Sequence, residues 1–157
     1  MKKLTTDQMR NFIFGAEDSL VSTLGILFGI ASANEFNNHQ LLVAGLITIV
    51  VEATSMGAGS FLSEESAIEI DGRKKLTPLS DGIIMFFSYF FAGFIPLAPY
   101  LFFDTSTARY VSVGASLLAL FILGYIPNKK ARSGFKMALV ASFAALLGFI
   151  VANIFVV

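Results

Sequence analysis

The sequence predicts an all-α, polytopic membrane protein with five transmembrane helices. Of its 157 residues, 55% are hydrophobic and 14% are charged, whereas an ordinary soluble domain has about 25% charged residues. The mean hydropathy is +0.75. The apolar residues are gathered into five runs, each close to the roughly 20 residues that a membrane-spanning helix needs.

The five runs account for most of the chain, and the connections between them are short. No segment is left that would fold as a separate soluble unit, so we expect a single transmembrane domain over residues 1–157. The predicted spans are residues 12–33, 40–62, 82–103, 110–126 and 135–156.

The distribution of lysine and arginine predicts the orientation. Ten of the eleven basic residues precede span 1 or lie in the links after spans 2 and 4, and Arg109 is the exception. Because basic residues are retained on the cytoplasmic side, the N-terminus is predicted to be cytoplasmic and the C-terminus to be outside. An odd number of spans agrees with that orientation.

Composition and motifs also exclude several classes of function. The chain has no cysteine, so it offers no thiolate site for zinc or an iron–sulfur cluster. Its formal net charge of zero gives no support for nucleic-acid binding. It contains no P-loop, HExxH, GxSxG or dinucleotide fingerprint. We therefore expect neither an enzyme nor a bound cofactor.

Span 1 combines an acidic residue with small residues on one helical face. Asp18, Ser22, Gly25 and Gly29 follow a three-to-four residue spacing. Small residues at this spacing allow close packing of membrane helices, and packing alone explains the glycines. It does not explain Asp18, because a carboxylate inside a bilayer is costly and is by default a candidate functional group.

Span 2 carries a second acidic residue, Glu52, and Met56 follows it by one helical turn. Spans 1 and 2 run in opposite directions, so the 1.5 Å rise per residue places Met56 at the depth of Asp18. Glu52 lies one turn deeper. These three side chains are the predicted metal ligands.

The chemistry of this set suits a divalent transition-metal ion. Carboxylates bind hard cations, and a thioether shifts the preference towards softer ions such as ferrous iron. An apolar environment favours the uncharged form of a carboxyl group, so metal binding would release protons and could couple metal to proton movement. Three glutamates at the cytoplasmic end of span 2 form either an entry site that attracts cations or an ordinary solvated helix end: Glu64, Glu65 and Glu69.

Spans 3 to 5 are predicted to be scaffold. In span 3, Pro96 and Pro99 should kink or end the helix near its outer side. The remaining polar residues in spans 4 and 5 are few and suggest no site.

The sequence resembles the vacuolar iron transporter family over nearly its whole length. The segment GAEDSLVSTLGILFGIASA is similar to the first helix of that family, EATSMGAGSFLSEES to the second and GFIPLAPYLF to the third. The resemblance implies export of cytoplasmic ferrous iron, or a related divalent ion, in exchange for protons. Asp18 and Met56 match the intramembrane aspartate and methionine of the family.

The resemblance also implies a homodimer in which the first helices line an ion path at the two-fold axis, with Ser22, Gly25 and Gly29 packed there. Three features depart from the family pattern: two residues and the length of one link. Ser19 stands where the family often has glycine, and Thr48 where it often has glutamate. Glu52, one turn later, lies on the same face and can compensate. The link of about 20 residues after span 2 is too short for the helical metal-binding domain of well-known plant members.

The expected partners are therefore the lipid bilayer, a divalent metal ion and a second copy of the chain. The compact chain suggests a microbial cell membrane, or the vacuolar membrane in a eukaryote. Two other functions fit the sequence. One is a membrane scaffold that transports nothing, in which the acidic residues serve assembly. The other is a channel for divalent cations.

Overall fold

A computed structural model of the chain describes residues 5–32, 37–71 and 78–155, and within these ranges it is helical with no strand. Five of the helices are long and apolar enough to cross a membrane, which confirms the predicted number of spans. The helices are α1 (Thr6–Ser32), α2 (Asn38–Asp71), α3 (Pro78–Leu97), α4 (Pro99–Phe102), α5 (Thr105–Asn128) and α6 (Ala131–Phe155).

The helices extend beyond the apolar runs because polar residues cap and continue them. Before α1, the Thr5 N–H donates to Gln8 Oε1 at 3.0 Å and the Gln8 N–H donates to Thr5 Oγ1 at 3.2 Å. This reciprocal pair satisfies backbone groups at the helix start. Helix α2 has 34 residues, or about 51 Å at 1.5 Å per residue, and so it projects well past a hydrocarbon core of about 30 Å.

The helix of span 3 ends at its prolines, one of the two predicted outcomes. Helix α3 ends at Leu97, one residue after Pro96, and the short helix α4 begins at Pro99. Asp104 then caps α5 by accepting a hydrogen bond of 3.0 Å from the Thr107 N–H. That bond holds the pKa of the exposed Asp104 carboxyl group below its usual value.

The long helices alternate in direction, so α1, α3 and α6 run one way and α2 and α5 the other. Helix α1 is central and packs chiefly against α3 and α6, while α2 packs against α3. We call the end of the bundle where α1 begins the basic end. Of the basic residues that the structure describes, all but Arg109 belong to this end: Arg10, Lys129, Lys130, Arg132 and Lys136.

Many large apolar side chains lie on the outside of the bundle. Val51 on α2 and Phe143 on α6, for example, are more than half exposed. A continuous apolar exterior of this kind matches a lipid environment, in which apolar surface needs no cover by protein.

Candidate functional site

The acidic residue at the centre of α2 is held by hydroxyl groups from two other helices. Ser22 of α1 donates to Glu52 Oε2 at 3.1 Å, and the Tyr89 hydroxyl of α3 donates to the same oxygen. The Ser22 and Tyr89 oxygens are 2.6 Å apart. Hydrogen bonds from hydroxyl groups compensate a carboxylate removed from water, so the three helices together make a polar site within the apolar bundle. We call these three residues the Glu52 cluster.

Tyr89 is a member of this cluster that sequence reasoning did not select. Its side chain is fully buried, and it stands in the phenylalanine-rich run MFFSYFFAGF of α3. The available signal was the single phenolic hydroxyl in that run, because a buried tyrosine usually finds a hydrogen-bond partner for its oxygen. The sequence could not show that this partner is Glu52.

Asp18 lies beside the Glu52 cluster. It is partly buried on α1 and lies one helical turn before Ser22, the residue of α1 that bonds to Glu52. Glu17, its neighbour in the chain, is also partly buried. Two like charges in a low-dielectric environment favour a proton or a cation between them.

Met56 and Glu64 face a cavity at the basic end, between α1, α2 and α3. The cavity has a volume of about 600 Å³. We call it the basic-end cavity, and its lining includes Arg10, Asn11, Met56, Ser63, Glu64 and Met85. Among the three glutamates proposed for ion entry, Glu64 is half-buried and lines this cavity, while Glu65 and Glu69 are exposed on the projecting part of α2.

Two contacts between α1 and α2 show that the cavity and the cluster lie along one helix pair. Arg10 and Glu64 form an ion pair of 3.5 Å, and Ser22 bonds to Glu52. The residues of the two contacts are separated by 12 positions on each helix, so the helices keep a constant antiparallel register between them. Asp18 and Met56 lie at corresponding levels between these two contacts.

The predicted metal ligands do not form one compact acidic centre. Among the described residues, no three histidine, aspartate or glutamate side chains come together as a metal site. Asp18 lies one helical turn before the Ser22 that bonds to Glu52, whereas Met56 lines the basic-end cavity. The assignment of all three to one metal ion therefore stays a prediction.

The small residues of α1 have two different surroundings. Ser22 belongs to the Glu52 cluster. Gly25 and Gly29 face α6 of the same chain, where a Cβ atom added to Gly29 would lie 3.0 Å from the Gly148 carbonyl oxygen. This close contact with α6 gives the glycines a role within one chain, and their predicted role at a dimer axis stays a prediction.

These observations define a class: an integral membrane protein of five spanning helices, with a partly buried carboxylate bonded by two hydroxyl groups at its centre. The chain belongs to the VIT family, whose model matches residues 9–73 and 64–153. The two matches overlap at the end of α2 and together cover nearly the whole chain.

Several known proteins are similar to this chain. An uncharacterized protein of Methanocaldococcus jannaschii is 26% identical over 93% of this chain and 89% of its own length. The vacuolar iron transporter homolog 2 of Oryza sativa subsp. japonica is 40% identical, over 40% of this chain and 33% of its own length. The vacuolar iron transporter homolog 2 of Arabidopsis thaliana is 24% identical, over 75% of this chain and 66% of its own length. The chain thus matches only part of each plant relative.

Proposed function

We propose that this protein is a membrane transporter that moves ferrous iron or a related divalent transition-metal ion out of the cytoplasm in exchange for protons. Membership of the VIT family supports metal-ion transport as the general function, and the names of the plant relatives supply iron as the candidate ion. The export direction follows from the predicted orientation, with the basic end in the cytoplasm.

The observation that carries the proposal is the pair of acidic groups inside the bundle. Glu52 is bound by Ser22 and Tyr89, and Asp18 lies one helical turn before Ser22 on α1. Two charged carboxylates in these positions would repel each other. A divalent cation bound here would remove that repulsion, and so would a proton on either carboxyl group. Because both ions satisfy the same carboxyl groups, each would displace the other, which is the requirement for exchange.

The dimer is part of this proposal. Gly25 and Gly29 pack against α6 on one side, and an apolar groove that includes Ser22 is left open by the part of the chain that the structure describes. A second copy packed along this groove would place two Glu52 clusters near one axis.

The test is metal uptake into proteoliposomes that contain the purified protein and an iron-sensitive dye, with and without a proton gradient. Asp18→Asn should reduce proton-driven ferrous iron transport by more than about tenfold. The reason is that the substitution removes the attraction between the Asp18 carboxylate and the bound cation. Two opposite unit charges 4 Å apart near a protein surface attract each other by about 4 kcal/mol, and each 1.4 kcal/mol corresponds to a tenfold change in affinity. Met56→Ala should also reduce it.

Two variants control for the substitutions themselves. Asp104→Asn changes an exposed acid to a residue that also caps helices, and Met137→Ala removes a thioether between α5 and α6. Both should transport normally. Wild-type rates in Asp18→Asn and Met56→Ala would contradict the site. Metal flux without proton counterflow would indicate a channel, and no flux of any divalent ion would indicate a scaffold.

A further inference from the structure

We propose that the basic-end cavity is a second metal site, in which the thioether sulfurs of Met56 and Met85 together bind a soft transition-metal ion such as ferrous iron. The inference rests on the proposed function for the identity of the ion and adds a ligand, Met85, that the sequence pattern did not suggest. In this proposal, the ion binds and is selected in the basic-end cavity before it moves to the Glu52 cluster.

Met85 is placed to present its sulfur between α1 and α3. The residue is 4% exposed, yet it lines the basic-end cavity. A Cβ atom added to Gly15 would lie 3.0 Å from the Met85 sulfur. The missing side chain at Gly15 therefore leaves the room that the sulfur occupies. Met56 from α2 and Met85 from α3 thus both line the cavity.

Asn11 supplies a polar group that lacks a partner inside the protein. Its side chain is 5% exposed and lines the same cavity. Its Nδ2 atom has no hydrogen-bond partner among the described residues. An unsatisfied buried polar group is costly, so its presence points to a bound ligand or water. Rotation of the amide exchanges its oxygen and nitrogen with little change of shape, and the oxygen can then face a cation.

Glu64 adds a negative charge at the rim, where Arg10 at present balances it. The Arg10 Nη2 atom lies 3.5 Å from Glu64 Oε1, and the two side chains are 67% and 15% exposed. Only Arg10 is mostly exposed, so its guanidinium group is within reach of solvent. In this proposal, a metal ion beside Glu64 takes the place of Arg10 and the Arg10 side chain turns into solvent.

The set of donor atoms selects for soft ions. Two thioethers with amide and carboxylate oxygens favour ferrous iron over magnesium or manganese, because hard ions gain little from sulfur. The chain has no cysteine, so any sulfur bonded to a metal in this protein must belong to methionine.

The test is X-ray absorption spectroscopy at the iron edge on the whole protein, purified in detergent under anoxic conditions with one equivalent of ferrous iron. The wild-type protein should show two sulfur neighbours. Met85→Leu and Met56→Leu, which keep an apolar side chain of similar size, should each show one. Met137→Leu is the matched control and should keep both sulfurs.

Each result decides the proposal. Any wild-type spectrum with fewer than two sulfur neighbours overturns the methionine pair, and so does a Met85→Leu spectrum that keeps both. If Met85→Leu cannot be purified as a folded protein, the spectrum of Met56→Leu decides the question. One remaining sulfur neighbour would support Met85 as a ligand, and a shell of oxygen atoms alone would overturn the proposal.

The measurement separates this inference from the proposed function. A two-sulfur site in a protein that moves no metal in proteoliposomes would support the site and contradict the transporter. Proton-coupled transport by a protein whose bound iron has only oxygen neighbours would support the transporter and contradict the two-sulfur site.

Discussion

At the scale of single residues, the most informative feature is the hydroxyl of Tyr89 on Glu52. The bond joins α3 to α2, and Ser22 extends it to α1. A polar side chain placed among phenylalanines thus anchors the residue on which the proposed ion exchange depends.

We predict that Tyr89→Phe will reduce metal transport by about tenfold or more and will lower the melting temperature. It removes a hydrogen bond to a charged group, worth about 1.5–3 kcal/mol, and leaves Glu52 with one donor fewer. Initial transport rates in proteoliposomes and thermal unfolding in detergent measure the two effects.

Tyr100 offers the matched control. Its side chain is also buried, but its hydroxyl has no hydrogen-bond partner in the part of the chain that the structure describes. Tyr100→Phe should therefore leave transport unchanged and leave stability unchanged or slightly higher. Equal effects of the two substitutions would show that the Tyr89 hydroxyl has no special role.

At the scale of helices, the packing of α1 against α6 depends on backbone contact. A Cβ atom added to Gly148 would collide with the carbonyl oxygen of Gly25, whereas one added to Gly114 on α5 would meet nothing within 4 Å. The two glycines therefore test close packing and helix propensity separately.

We predict that Gly148→Ala will destabilise the protein by about 1–3 kcal/mol, the usual cost of overpacking. Gly114→Ala should stabilise it slightly, because alanine favours a helix over glycine by about 0.5–1 kcal/mol. Thermal unfolding in the same detergent compares them. A Gly148→Ala variant as stable as the wild type would show that α6 does not pack on α1 in this way.

Much at the helix scale could be predicted from sequence, because it depends on local composition. Five apolar runs of bilayer length gave five spanning helices, and Pro96 and Pro99 marked the turn after α3. The helix ends were less predictable: Thr5 and Gln8 start α1 before its apolar run, and α2 continues through polar residues to Asp71.

The candidate site was less predictable, since it depends on packing between helices. Asp18 and Glu52 were visible as costly charges in apolar runs. Tyr89 and Met85 were not, because aromatic and thioether side chains are ordinary in membrane helices. The spacing of Gly25 and Gly29 predicted a close contact, but only the fold shows that α6 makes it.

At the scale of the whole molecule, the orientation in the membrane determines whether transport is export or import. We predict that a cysteine introduced at Ser66, on the projecting part of α2, will react with an impermeant thiol reagent only from the cytoplasmic side. One introduced at Ser106, at the start of α5, should react only from the opposite side.

The absence of natural cysteine makes this labelling unambiguous, since the unmodified chain has no thiol group that could react. Both positions are exposed in the structure, so accessibility depends on the side of the membrane alone. The reverse pattern of labelling would invert the transport direction and contradict export.

The shared oxygen of Glu52 has a mechanical consequence. Ser22 and Tyr89 both donate hydrogen bonds to Oε2, so this one atom joins α1, α2 and α3. On the proposed function, an ion that takes this oxygen must compete with the two hydroxyls for it. Binding of the ion would then break the hydrogen bonds that join the three helices at the centre of the bundle, and release of the ion would allow those bonds to form again.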